Sequence, residues 1–267
     1  MRALKPLLLS AALVTGLAGC ATTTSPTGRT QYVGAVSQAE LDQLGARAFN
    51  ELRGTKQLAA ASQQSYVRCV VDAVVGQLPA SYRSIGWESA VFTDDDTNAF
   101  ALPGGKVGVY TGIFKAARNQ DQLAGVIAHE IGHVVSRHHD ERITRQAGAQ
   151  SVLGLVGALL GGSGYENLAV QGGGLLAQTG FLLPGSRQQE SEADVVGQRL
   201  MAQAGFDPRA AVSLWENMIN QGGARQPEFL STHPDPSARI GELRRLANSL
   251  VPVYEQARAA GRTPNCS

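Results

Sequence analysis

The chain has 267 residues, 43% of them hydrophobic and 17% charged, enough for one sizeable domain or two small ones. A formal net charge of +1 leaves no strong field for nucleic acid. With 31 glycines and an aromatic share of 6%, the composition suits a helical, loop-broken globule better than an aromatic-rich binding surface.

Arg2 and Lys5, followed by the apolar run from Leu7 to Leu17, read as a secretory signal over residues 1–20, too short and wrongly flanked to span a bilayer. Its end, Leu17-Ala18-Gly19-Cys20, resembles the bacterial lipobox, in which the cysteine is lipidated and becomes the mature N-terminus; an ordinary cleavage site ending in cysteine is the plainer alternative. In such lipoproteins an aspartate after the cysteine favours the inner membrane. Ala21 stands there, so the resemblance points to a lipid-anchored periplasmic protein of the outer membrane. Residues 21–38, rich in Thr, Ser, Gly and Gln, predict a flexible tether. Cys69 and Cys266 are then the remaining cysteines, either paired in an oxidising compartment or two unconnected thiols.

The body spans residues 39–250, with 251–267 as a C-terminal tail. Helical periodicity marks 39–53 and 62–78, both expected to pack over a central helix. Trp87 to Thr93 reads as a strand, and Asp94-Asp95-Asp96 as a solvated turn. Asn98 to Leu102, a Pro103-Gly104-Gly105 turn and Lys106 to Tyr110 then read as a hairpin. Its edge could hold a peptide extended by strand addition, or the hairpin could be purely structural. Residues 146–186 are rich in Gly, Ala, Leu and Gln. The apolar stretch Ser151 to Leu160 could be a buried helix, a lid over a cleft or a lipid-touching surface.

The central helix carries His129-Glu130-Ile131-Gly132-His133. Residues four apart project from one face of a helix, so His129 and His133 can share one Zn²⁺, with Glu130 beside them to take a proton from the attacking water. Asn119 with Gln122 predicts a capping box, and Leu123, Val126, Ile127, Ile131 and Val134 form the apolar stripe.

A hydrolytic zinc usually takes three protein ligands. His139 stands where H-E-x-x-H-x-x-G-x-x-H would put the third, but Ser136 replaces the glycine that turns the chain, and a helix continuing through Ser136-Arg137-His138 would aim His139 away. Glu190 is the better candidate, on a second helix over Arg187 to Gln203. Asp194, one turn on, can accept a hydrogen bond from a ligand histidine, while Glu192 should face solvent. Asp235-Pro236 reads as the start of a last helix, to about Leu250. Arg239 on it could pair with Asp194 or be surface charge.

These motifs in order, with Asn98-Ala99-Phe100-Ala101, Pro103-Gly104-Gly105 and Thr232-His233-Pro234, resemble the membrane-associated gluzincin metallopeptidases. That group includes the prenyl protease, HtpX, Oma-type and BepA-like enzymes. The soluble, anchored BepA-like branch is nearest in pattern, since no spanning helix is evident.

The resemblance implies an α+β, mainly helical zincin-like domain with a small antiparallel sheet beside the H-E-x-x-H helix. It implies one Zn²⁺ per chain on His129, His133 and Glu190, with Glu130 as catalytic base and Asp194 in support. His233 would approach the metal, steadying the oxyanion or filling the open position at rest. The hairpin after Asn98, with Ala99, Phe100 and Gly104, would line the substrate cleft. The implied function is an endopeptidase acting on misfolded or misassembled envelope polypeptides, with the outer-membrane assembly machinery as a further partner. The alternative is a zinc-containing chaperone or assembly factor with latent proteolysis.

Overall fold

A computed structural model describes residues 21–159, 185–221, 228–234 and 236–266. The leader with Cys20, residues 160–184 and Asp235 lie outside them, as do the side chains of 149–159, so the readings placed on those positions do too.

A hairpin comes first, β1 (Ala21–Thr24) and β2 (Thr30–Val33). The helices α1 (Gln38–Thr55), α2 (Ala61–Val75) and the short α3 (Ala80–Arg83) follow. Strands β3 (Glu88–Phe92), β4 (Ala99–Leu102) and β5 (Lys106–Tyr110) lead through a 3₁₀ turn into α4 (Gln120–Val135) and α5 (His138–Leu159). Then come α6 (Arg187–Ala204), α7 (Ala210–Asn220), α8 (Glu228–Thr232) and α9 (Pro236–Ala259). The result is the mainly helical α+β arrangement that the sequence implies. Among the described residues no helix is long and apolar enough to cross a membrane.

Helix α4 is the axis of the molecule, with every residue from Gln122 to Val135 buried. Its cap is one-sided: Asn119 Oδ1 accepts from the Gln122 amide at 2.9 Å, but the Gln122 side chain turns to the Arg118 amide at 2.8 Å instead of closing the expected box. Helix α2 packs on α4 through Val67, Val70, Val71 and Val74, as expected. Helix α1 does not. It covers the other face of the sheet, where Phe49 joins Phe92, Phe100, Leu102 and Tyr110 in a separate apolar cluster.

The sheet order is β3-β5-β4, with β4 antiparallel and β3 parallel to β5. It is therefore mixed where an antiparallel sheet was expected. The hairpin β4–β5 forms as read, with Gly104 and Gly105 at φ 75° and 72°, a region L side chains rarely adopt. The link from β3 carries the chain past the place β5 later fills, which leaves β4 as the edge strand beside α4.

Helices α4 and α6 approach unusually closely. A Cβ on Gly132 would stand 2.9 Å from the Ala193 carbonyl oxygen, and one on Gly197 would stand 2.8 Å from the His129 amide nitrogen. Main chain rests on main chain at both points, and this contact brings the start of α6 alongside the histidines of α4.

Residues 21–33 correct the flexible-tether reading. They pair in register from Ala21↔Val33 to Thr24↔Thr30 and dock on the body. The Arg29 guanidinium donates to Glu141 of α5 at 2.7 and 2.8 Å and to Glu192 of α6 at 2.9 and 3.1 Å. Gln31 Nε2 donates to the Ser136 carbonyl at 2.7 Å. The polar composition that suggests a tether supplies buried hydrogen bonds instead.

The C-terminal end also differs. Helix α9 runs through Pro252 to Ala259, not to Leu250, held by buried Leu250 and Ala257 on either side of the proline. The chain then returns to α2, where Cys69 and Cys266 are disulfide-bonded with Cα atoms 5.5 Å apart. Because the bond closes a very long loop, Cys266→Ser is expected to lower stability by about 2–5 kcal/mol. Denaturant unfolding with and without reductant measures this; an unchanged midpoint would remove the bond from the stability of the fold.

Candidate metal centre

His129 and His133 stand one turn apart on α4, both buried, with Nε2 atoms 3.1 Å from each other. Glu190 enters from the first turn of α6, where Ser186 and Gln189 form a reciprocal capping box and the positive helix end favours a carboxylate. Its Oε2 lies 3.4 Å from His129 Nε2 and its Oε1 3.6 Å from His133 Nε2. His233 follows α8, its ring stacked on Phe229 at 4.2 Å between centroids, and places Nδ1 3.2 Å from His129 Nε2 and 3.0 Å from Glu190 Oε2. One atom from each of the four residues lies within 4.8 Å of all the others.

This donor set fits a cation. Zinc bonds of about 2.0–2.2 Å in a tetrahedron put neighbouring ligand atoms about 3.3–3.6 Å apart, close to the spacings here. Glu190 Oε1 is fully buried with no hydrogen-bond partner, a costly state for a carboxylate oxygen unless a cation meets it. Three imidazole nitrogens crowd one point, where hydrogen bonds alone cannot satisfy every lone pair.

Asp194 fixes the far side of His129, its Oδ1 accepting from Nδ1 at 3.0 Å, which leaves Nε2 free to face the cluster. Arg239 in turn donates to both Asp194 oxygens at 2.7 Å and to Glu190 Oε2 at 3.0 Å, and its guanidinium lies 4.1 Å over the Trp215 ring. Of the two readings of Arg239, the pairing is the one seen.

The charges sort themselves accordingly. Burial penalises the Asp194 anion, but Arg239 holds its carboxyl below the usual range. Burial also penalises Glu190, and His233 and His133 outweigh it to hold that carboxyl well below normal. Burial together with the neighbouring imidazoles pushes His133 well down. For His233 burial opposes protonation, yet the carboxylates of Glu190 and Glu130 prevail and push it up to about 9.

Glu130 stands beside the cluster with Oε1 3.2 Å from His233 Nε2; that oxygen has no well-directed hydrogen bond. A narrow cleft here is lined by Asn98, Ala99 and Phe100 of the β4 side, with Glu130, His133 and His233. The Phe100 ring turns to the opposite face of the sheet, 6.2 Å from Tyr110, so the strand offers its main chain. Gly104 is not in this cleft. It sits at the hairpin turn against Asp42 of α1, because the turn lies beyond the stretch of β4 that passes the metal ligands.

A model of peptidase family M48 matches residues 61–247, well over half of the chain. The chain belongs to peptidase family M48. The mitochondrial metalloendopeptidase OMA1 of Schizosaccharomyces pombe is 43% identical over 159 residues, which cover 59% of this chain and 45% of that protein. OMA1 of Saccharomyces cerevisiae is 37% identical over 183 residues, 65% of this chain and 50% of that one. The β-barrel assembly-enhancing protease of Escherichia coli K12 is 36% identical over 176 residues, 62% and 36% respectively. The M48 chain thus spans half or less of the length of these relatives.

Two further features of this M48 chain depart from the sequence reading. The helix does not continue through Ser136: Arg137 takes φ 53°, and α5 starts afresh at His138. His139 still lies outside the ligand cluster, its Nε2 donating to the Ala101 carbonyl of β4 at 2.8 Å. Glu192, expected in solvent, is 4% exposed and bound by His138, Thr27 and Arg29. Its partners lie far away in sequence, and no local pattern announces them. The same holds for Trp215, whose place under Arg239 had no signal in the sequence beyond its apolar helix.

Proposed function

We propose that this chain is a zinc-dependent endopeptidase in which His129, His133 and Glu190 hold the metal and Glu130 is the general base. The convergence of those three side chains with His233 within 4.8 Å is the observation that carries the reading. Zinc in that position would polarise the scissile carbonyl and lower the pKa of its water towards about 7. Glu130 takes the proton of the attacking water and returns it to the leaving amine. Asp194 and Arg239 keep His129 in the tautomer that presents Nε2. The outer edge of β4 receives the peptide as an added strand through the main-chain groups that His139 and Asn98 leave open, which fixes the scissile bond by main-chain hydrogen bonds and accepts many sequences.

His233 Nδ1 stands among the ligand atoms, so with its proton given up to a bound cation it would supply a fourth donor at rest, and a catalytic site would have to release it to work. Released, the same imidazole, whose Nε2 already faces the cleft 3.2 Å from Glu130 Oε1, would be the donor that steadies the developing oxyanion.

The substrates in this reading are misfolded or misassembled envelope polypeptides, and the anchor is lipid on Cys20 at the periplasmic face of the outer membrane. The signal and lipobox pattern of residues 1–20 supports the location. The name of the E. coli relative, joining proteolysis with β-barrel assembly, supports the substrate class and the assembly machinery as partner.

Metal content measured together with casein cleavage tests the core of this. One zinc per chain, cleavage abolished by a chelator and restored by added zinc, is the expected result. Metal-free protein after zinc loading, or cleavage indifferent to the chelator, would overturn it.

A further inference from the structure

Beyond the ligand cluster an unbroken line of hydrogen-bonded side chains, buried from His133 through Glu192, runs to the N-terminal hairpin. His133 Nδ1, on the ring edge away from the cluster, lies 2.8 Å from His138 Nδ1. His138 Nε2 lies 3.1 Å from Glu192 Oε2. Glu192 accepts from Arg29 Nε at 3.1 Å and Nη2 at 2.9 Å, and from Thr27 Oγ1 at 2.6 Å. His138 is 0% exposed.

One placement of protons satisfies every link. With Nε2 of His133 turned to the cluster, its proton sits on Nδ1 and is donated to His138 Nδ1. His138 must then carry its own proton on Nε2, which it donates to the Glu192 carboxylate. The arrangement parallels the support of His129 by Asp194 and Arg239: an imidazole, a carboxylate and an arginine, with one extra imidazole inserted.

The backbone is shaped for this contact. In an unbroken helix a residue five positions on points about 140° away, so His138 could not reach the Nδ1 edge of His133. The break at Arg137, the one non-glycine residue with positive φ among those described, turns His138 back beneath it.

We propose that His138 is a positioning residue for His133, and that the β1–β2 hairpin, acting through Arg29, Thr27 and Glu192, belongs to the metal centre. The docked hairpin fixes the tautomer and ring plane of His133 and so sets the affinity of the site for its ion. This rests on the reading of His133 as a metal ligand.

The test is a zinc competition titration against a chromophoric chelator, with the d–d spectrum of the cobalt-loaded protein. It is run on wild type, Glu192→Gln and Arg29→Gln, with circular dichroism of each metal-free chain. Glu192→Gln is nearly isosteric and removes only the charge, so it keeps the test alive if Arg29→Gln fails to fold. Lys115→Ala is the control: its exposed side chain pairs with the exposed Asp95 and shares no partner with the line. Glu192→Gln is expected to bind zinc about 10–100-fold more weakly, with shifted cobalt bands and an intact fold, while Lys115→Ala matches wild type. If wild type takes up no zinc, the ligand reading itself is wrong. If wild type binds zinc and Glu192→Gln binds within twofold of it with the same cobalt spectrum, the line from hairpin to metal is overturned.

Discussion

Glu130→Gln is expected to keep its zinc and to lower kcat by about 10²–10⁴-fold, the range lost with a positioned general base. The amide preserves the size of the side chain and its packing in the cleft but cannot accept a proton from water. Glu130 is not among the four residues whose ligating atoms converge, so metal content should not change. Single-turnover cleavage of an unfolded substrate, with zinc content of the same preparation, separates the outcomes. A rate within threefold of wild type removes Glu130 from the proton transfer. Joint loss of metal and activity would instead place it in the ligand set.

Arg239→Met is expected to destabilise the metal-free protein by about 3–5 kcal/mol, the cost of leaving a buried charge without its partner. The guanidinium is 7% exposed and holds two carboxylates at once, Asp194 and Glu190. Methionine keeps much of the contact with Trp215 while removing the charge. Adding Asp194→Asn should recover part of the loss, because one of the stranded carboxylates is then neutral. Chemical denaturation of both variants, with and without zinc, checks this; zinc should reduce the deficit by meeting Glu190. A loss below about 1 kcal/mol in the metal-free single variant would mean that the carboxylates find other partners or take up protons.

The parts of the molecule that repeat locally were legible from the sequence. His129 and His133 four apart, Glu190 and Asp194 four apart, and the apolar stripe of α4 each follow from the helical period. Periodicity names the buried face of an element but not what covers it. That is why the pattern of α1 fits α4 as well as the far side of the sheet, and why the parallel pairing of β3 with β5 leaves no mark in the sequence. Long-range polar contacts left even less trace. Arg29 sits in a stretch whose Thr, Ser and Gly composition reads as solvated, and Glu192 looks outward on its own helix until Arg29 and His138 arrive from both sides. The turn at Arg137 carries no glycine to announce it, so both the break in the helix and the role of His138 depend on the folded context.

The glycine contacts between α4 and α6 decide where the catalytic cleft is able to move. Gly132 and Gly197 seat one backbone directly on another, with no rotamers through which the pair could breathe. The three residues carried by these helices, His129, His133 and Glu190, therefore travel as a single stiff plate. Room for an incoming polypeptide is then expected from the facing wall, where His233 follows a helix of only five residues.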